Sequence, residues 1–122
     1  MPAFSFVLLY VKSPPDSAAF YADLLGKPPV DSSPTFAMLP LSDGVMLGLW
    51  KADTVLPAPS ASPGASEVAF TVQTPAEVDE RHGDWAARGL VIAQAPANMD
   101  FGRTFLALDP DGHRLRVFAP AG

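Results

Sequence analysis

Cysteine is absent from this chain, so disulfides, thiolate metal sites and a thiol nucleophile are all excluded. Basic residues are scarce as well. Eight Lys and Arg face thirteen Asp and Glu, leaving a formal net charge of −5 at pH 7. That balance argues against nucleic acid, whose phosphates call for a basic face, and sets no bar to a neutral or cationic small molecule. Histidine occurs only at His82 and His113. Neither stands at an interpretable spacing from a Ser that could serve as nucleophile, so a surface role is expected for both. No apolar run is long enough to span a bilayer, since Phe4 to Val11 is far too short. The same segment lacks the basic start and the small-residue cleavage site of a signal peptide. The cytoplasm is therefore the expected location, with no membrane partner. Gly-x-Gly-x-x-Gly, P-loop and His-Glu-x-x-His patterns are missing too.

What the chain does have is apolar bulk. Hydrophobic residues make up 48% of 122 positions and charged residues 17%, enough to pack a core. Phe4–Val11, rich in β-branched and aromatic residues, reads as a buried strand. It stops at Ser13-Pro-Pro-Asp16, where Ser13 can cap a helix, Pro14 fits its first turn and Asp16 completes a capping-box pattern. Phe20, Tyr21, Leu24 and Leu25 then recur at helical spacing, and Gly26 suits the left-handed end of that helix. Strands are expected around Thr35–Leu41 and Val45–Trp50, joined by the turn Ser42-Asp43-Gly44. Residues 52–66, rich in Pro, Ala and Ser, read as a semi-extended linker.

Beyond that linker the same order returns. Glu67–Gln73 is a strand, and Thr74-Pro-Ala-Glu77 is again a capping box with proline just inside the helix. Val78, His82, Trp85 and Ala86 mark its buried stripe, and Arg88-Gly89 matches Leu25-Gly26. A strand near Leu90–Ala95 is followed by Thr104–Leu108, the turn Pro110-Asp111-Gly112, and His113–Phe118. Phe6 maps to Glu67 and Ser13 to Thr74 at an offset of 61, Gly26 to Gly89 at 63 and Gly44 to Gly112 at 68. A small monotonic drift is what loop insertions produce. The chain reads as an internal duplication of a strand–helix–strand–strand–strand unit.

The stretch Val11 to Gly26, with Ser17-Ala-Ala-Phe-Tyr-Ala-Asp-Leu-Leu-Gly26, and the turn Asp109-Pro-Asp-Gly112 before a final strand resemble the glyoxalase/bleomycin-resistance (vicinal oxygen chelate) superfamily. The resemblance covers essentially the whole chain. It implies an α+β fold of two tandem βαβββ modules, each forming a curved, half-barrel-type sheet, with concave faces that enclose a ligand cavity. It also implies one domain over 1–122: module one 1–51, linker 52–66 and module two 67–122. A homodimer is implied by the resemblance as well.

Metalloenzymes of that superfamily place ligands on the first and last strand of each module, positions that here hold Phe6, Gly48, Glu67 and Arg116. Phenylalanine and glycine offer no ligand atom and arginine is an obligate cation. One carboxylate does not make a transition-metal site. The expectation is no metal and no other cofactor. Glu67 and Arg116 are instead expected to pair as a salt bridge, either structural, as a tie between modules, or functional.

Alternation along strands sends Gly48, Met46 and Trp50 to one face, with Phe6, Leu8 and Tyr10 from the first strand and Arg114, Arg116 and Phe118 from the last. A cavity wall of Tyr10, Met46, Trp50 and Phe118, with Phe36, Met38 or Phe105 nearby, would offer flat, polarisable faces to an aromatic ligand. Ordinary core packing is the alternative for each ring. Trp50 is singled out because it ends a strand just before the linker, where a large ring is hard to bury. The segment Ala97–Arg103, which contains Phe101, reads as a lid, a cavity rim or a plain connection. Asp109 and Asp111 belong to a turn, where aspartate is routine.

Thr35–Met38, Leu47–Trp50 and Met99–Phe105 are similar to segments of phenazine-resistance proteins, which hold a planar tricyclic antibiotic between aromatic side chains. The reading that follows is a metal-free binding protein that sequesters a planar aromatic drug or metabolite and so confers resistance. The alternative is a metal-independent lyase or isomerase with Glu67 as general base.

Overall fold

A computed structural model describes residues 2–121. It divides into two units, the first reaching Ser62 and the second starting at Pro63. In the first, β1 (Phe6–Val11) leads to α1 (Pro14–Leu25), then β2 (Asp31–Ser32), β3 (Phe36–Ser42) and β4 (Val45–Lys51). In the second, β5 (Glu67–Thr71) leads to α2 (Pro75–Ala87), then β6 (Val91–Met99), β7 (Gly102–Leu108) and β8 (Arg114–Pro120). The sheets run β1-β4-β3-β2 and β5-β8-β7-β6. First and last strands pair in parallel in each unit, and the remaining pairs are antiparallel. The duplicated βαβββ order read from the sequence is thus the observed topology, an α+β fold. Among the described residues no helix is long and apolar enough to cross a membrane.

Local chemistry explains the helix starts. The Ser13 hydroxyl accepts from the Asp16 backbone N–H at 3.3 Å, and Thr74 from that of Glu77 at 3.2 Å. Each cap satisfies one of the backbone donors that a helix start leaves unpaired. Gly26 ends α1 at φ 68°, the left-handed conformation that glycine adopts without a Cβ penalty.

Strand alternation then divides each sheet into a helix side and an open side. Leu9, Val11, Ala37, Leu39, Leu47 and Leu49 are buried on the side of the first sheet that takes α1, beside its Ala18 and Tyr21. In the second unit Trp85 of α2 meets Phe70 and Phe105 edge to face, at 6.1 and 5.4 Å between centroids. His82 packs against Phe105 in the same manner at 5.5 Å, so it is a half-buried packing residue, where a surface role was expected.

Several boundaries differ from the sequence reading. Phe4 stays outside β1 and is 73% exposed. The linker opens with a short 3₁₀ turn, Ala52–Thr54, and buries Val55. Ala86 is exposed, because α2 buries only Val78 and Trp85 fully. The expected loop at 97–103 is largely strand: β6 continues to Met99, pairs Met99 with Gly102, and leaves Asp100 and Phe101 as a tight turn. Gly102 is what permits this. It has φ 140°, and a Cβ there would lie 1.9 Å from the Ala119 carbonyl oxygen. β2 is too short to leave a periodic signal in sequence.

The two caps are expected to act alike. Thr74→Ala and Ser13→Ala should each lower unfolding free energy by about 1 kcal/mol, read from urea denaturation with an unchanged m-value.

Candidate functional site

In the first unit the open face of the sheet is built from three strands in register. Phe6, Leu8 and Tyr10 of β1 stand beside Met46, Gly48 and Trp50 of β4, which stand beside Phe36 and Met38 of β3. Phe36 is the cross-strand neighbour of Trp50, and Met38 of Gly48. Tyr10 meets Trp50 edge to face, with centroids 6.1 Å apart. Phe6, Leu8 and Tyr10 keep 38 to 45% of their surface exposed, unusual for three apolar side chains in one row.

Phe6, Leu8, Phe36 and Trp50 line a concave apolar pocket of about 460 Å³, within the range that small-molecule sites occupy. Gly48 makes that geometry possible. A Cβ at 48 would come within 2.5 Å of Leu8 Cδ2 and 3.1 Å of Phe36 Cζ. Both side chains therefore lie over the glycine, where a larger residue would lift them away. Gly48, set at an expected metal-ligand position by the family resemblance, serves an apolar surface.

The same positions in the second unit are polar. Glu67 on β5 and Arg114 on β8 are direct cross-strand neighbours, with Arg116 two residues further along the same face. Arg116 donates from Nε to Glu67 Oε1 at 2.6 Å and from Nη2 to Oε2 at 2.9 Å. Its Nη1 donates to Gln94 Oε1 at 3.2 Å and to Thr104 Oγ1 at 3.1 Å. Thr104 in turn donates to the Val117 carbonyl at 2.9 Å. Arg114 Nε also donates to Glu67 Oε2, at 3.0 Å. The Phe101 ring lies 5.9 Å from the Arg116 guanidinium carbon and meets Phe118 edge to face.

The hydrogen bond from Arg116 is the largest influence on Glu67 and draws its carboxyl below the ordinary value. Partial burial opposes this, and the charges of Arg116 and Arg114 add to the lowering. Arg116 is raised correspondingly, first by its hydrogen bond to Glu67. This fork-on-carboxylate geometry, two N–H groups on two oxygens, is the strong form of such a pair. The pair lies wholly within the second unit, so the expectation of a tie between modules is corrected.

Trp50, Tyr10, Phe36, Met38 and Met46 thus share the open face of the first sheet, and Glu67, Arg116 and Phe118 that of the second, with Phe101 folded over it. Phe105 does not join them. It is fully buried on the opposite face against Trp85, because it alternates with Thr104 along β7 and so turns toward α2. Phe6 and Leu8 belong to the pocket, and Arg114, Gln94 and Thr104 to the polar cluster. Parity had already put Phe6, Leu8 and Arg114 on these faces. Gln94 and Thr104 gave no sequence signal, since their role depends on β6 and β7 pairing beside β8.

The superfamily's metal does not fit these residues. Phe6 and Gly48 carry no donor atom, and the Glu67 oxygens are taken by guanidinium N–H groups. Among the described residues no three His, Cys, Asp or Glu side chains gather where an ion could be held.

Residues 3–117 match the family model of the Glyoxalase/Bleomycin resistance protein/Dioxygenase superfamily. The chain belongs to that superfamily. It is 32% identical over 114 residues to the phenazine antibiotic resistance protein EhpR of Enterobacter agglomerans, covering 90% of this chain and 86% of that one. Among solved structures, a protein of Agrobacterium tumefaciens determined by solution NMR matches over the whole of both chains at 51% identity, with a TM-score of 0.90. A glyoxalase/bleomycin resistance protein/dioxygenase from Nocardioides matches at 27% identity and TM-score 0.82, over 98% of this chain and 84% of that one. The Nocardioides superfamily member thus shares this fold.

The lowered carboxyl of Glu67 has a definite sign. A carboxylate held below its ordinary value of 4.5 stabilises the fold above that pH, and the contribution is lost as pH falls through its folded value. Glu67→Gln should therefore cost up to about 1 kcal/mol at pH 7, the scale of a solvent-screened ion pair, with the difference from wild type shrinking below pH 4.5. Urea titrations at several pH values measure both.

Proposed function

We propose that this protein is a non-catalytic, metal-free binder that sequesters a planar aromatic drug or metabolite of phenazine-like shape. In this reading it acts in the cytoplasm, as a single domain over 1–122 that forms a homodimer, and protects the cell by holding the molecule. The observation that carries it is the apolar pocket of Phe6, Leu8, Phe36 and Trp50 over Gly48. Its walls offer aromatic faces and edges and almost no hydrogen-bonding group, which suits a flat ring system whose affinity comes from burial and stacking. Similarity to a phenazine antibiotic resistance protein supports the ligand class and the resistance role.

Glu67 is less suited to proton abstraction. A carboxylate that both arginines hold ionised and hydrogen-bonded is a weak base. Binding is the reading that needs no proton transfer from it.

Trp50 provides the test. Stacking adds about 1 kcal/mol beyond area burial, and loss of that area removes about another 2 kcal/mol. Trp50→Ala should weaken binding of a phenazine by one to two orders of magnitude, at about 1.4 kcal/mol per tenfold. Trp50→Phe should cost far less. Phenazine should also quench the Trp50 indole and leave Trp85 unaffected, because Trp85 is buried between α2 and the second sheet, against Phe70 and Phe105. Unchanged affinity in a folded Trp50→Ala protein would make Trp50 a packing residue and overturn the reading.

Gly48→Ala separates pocket from fold. Leu8 is exposed and its far end can swing aside, so the melting temperature should hold within a few degrees, since about 1 kcal/mol shifts a domain of this size by about 4–8 °C. Phenazine affinity should fall as the pocket floor rises. A variant that binds as tightly as wild type would show that the space over Gly48 is not the site.

A further inference from the structure

The open face of the second sheet holds an unbalanced positive charge in a chain whose net charge is −5. Two guanidiniums, Arg114 and Arg116, share the single carboxylate of Glu67. Arg116 takes most of it: it binds both oxygens, is further fixed by Gln94 and Thr104, and keeps only 15% of its side-chain surface exposed. Arg114 reaches only Oε2, through Nε at 3.0 Å and Nη2 at 3.0 Å, and its side chain is 39% exposed. Among the described residues Glu67 is the only ion-pair partner of Arg114, and Nη1 of that side chain meets no protein acceptor.

We propose that this face is an oxyanion subsite that takes the carboxylate of an aromatic acid, with Arg114 as the contacting cation. Arg116, locked by Glu67, positions the surface behind it. The net charge of the three groups is +1, which a single carboxylate monoanion balances. A guanidinium edge presents parallel N–H donors at the spacing of two carboxylate oxygens. Arg114, Arg116 and Phe118 follow one another at every second residue on one face of β8, about 7 Å per step. That step is about the length of one aryl ring, so an acid anchored at Arg114 lays its ring toward Arg116, Phe101 and Phe118. The Phe101 ring already lies against the Arg116 guanidinium, and a ligand ring would extend the same contact.

The probes are 2-naphthoate and its methyl ester, which share a ring system and differ in charge. Titrated into the ¹⁵N-labelled chain, 2-naphthoate should shift the Arg114 Nε–H resonance and the ester should not. The acid should bind about fivefold to tenfold more tightly than the ester, the scale of an exposed charge-assisted pair, with the preference falling as salt rises. Arg114→Gln should abolish the preference, and Arg114→Lys should keep part of it. Equal affinities for acid and ester would overturn the proposal, as would an unshifted Arg114 resonance or a preference that survives Arg114→Gln. So would the absence of naphthoate binding at millimolar concentration. If Arg114→Gln does not fold, the acid–ester difference and the resonance shift in wild type decide. Trp50 quenching reports the first sheet alone: an acid preference without quenching leaves this proposal standing, and quenching without an acid preference leaves only the apolar pocket.

Discussion

Each four-stranded sheet of this protein has one helix to cover it, and strand alternation allows that helix to bury only one face. Leu9, Val11, Leu39, Leu47 and Leu49 turn to one side of the first sheet, and Val117, Leu115, Phe105 and Ala107 to one side of the second. Stability is thereby concentrated on the helix sides, where whole side chains leave water at about 25 cal/mol per Å². The residues between them project the other way and are released from the demands of that core. Everything proposed about ligand binding draws on these released positions.

The duplication makes the consequence visible, since the same places in the two copies have been filled differently. Phe6 corresponds to Glu67, Met46 to Arg114, Gly48 to Arg116, Trp50 to Phe118 and Phe36 to Thr104. One copy has become an apolar surface with a glycine floor, the other an ion-paired and hydrogen-bonded one. The helix-side partners keep their character throughout: Leu47 and Leu49 correspond to Leu115 and Val117, all buried. Divergence on the open faces with constancy on the helix sides is what the physics of a one-sided core permits. It also leaves Phe6 and Gly48 on an open face, where the choice of residue type costs the core nothing.

Much of this was legible in the chain because it rests on local rules. Ser13 and Thr74 announce their helices by hydroxyl chemistry within three residues, and Gly26 marks its helix end by backbone freedom. Trp50, Tyr10, Met46 and Gly48 could be put on one face by parity alone, and the pairing of Glu67 with Arg116 followed from the positions that the family resemblance assigns them. Phe105 was misplaced because its face depends on the register of β7 against β8, which sets it opposite the buried Val117. The segment at 97–103 read as a loop for the same reason: its mixed composition hides strand pairing that only the partner strand supplies.

The sequence by itself determined the duplicated βαβββ order, the helix caps and the absence of thiol chemistry. These are matters of residue type and of contacts a few positions apart. Only the tertiary structure decided that Leu8 and Phe36 lean over Gly48 to make a pocket. It likewise decided that Gln94 and Thr104 converge on Arg116 from two other strands, and that Arg114 is left with a share of one carboxylate. Those features depend on register between strands distant in the chain, where a shift of one residue would turn every side chain to the other face.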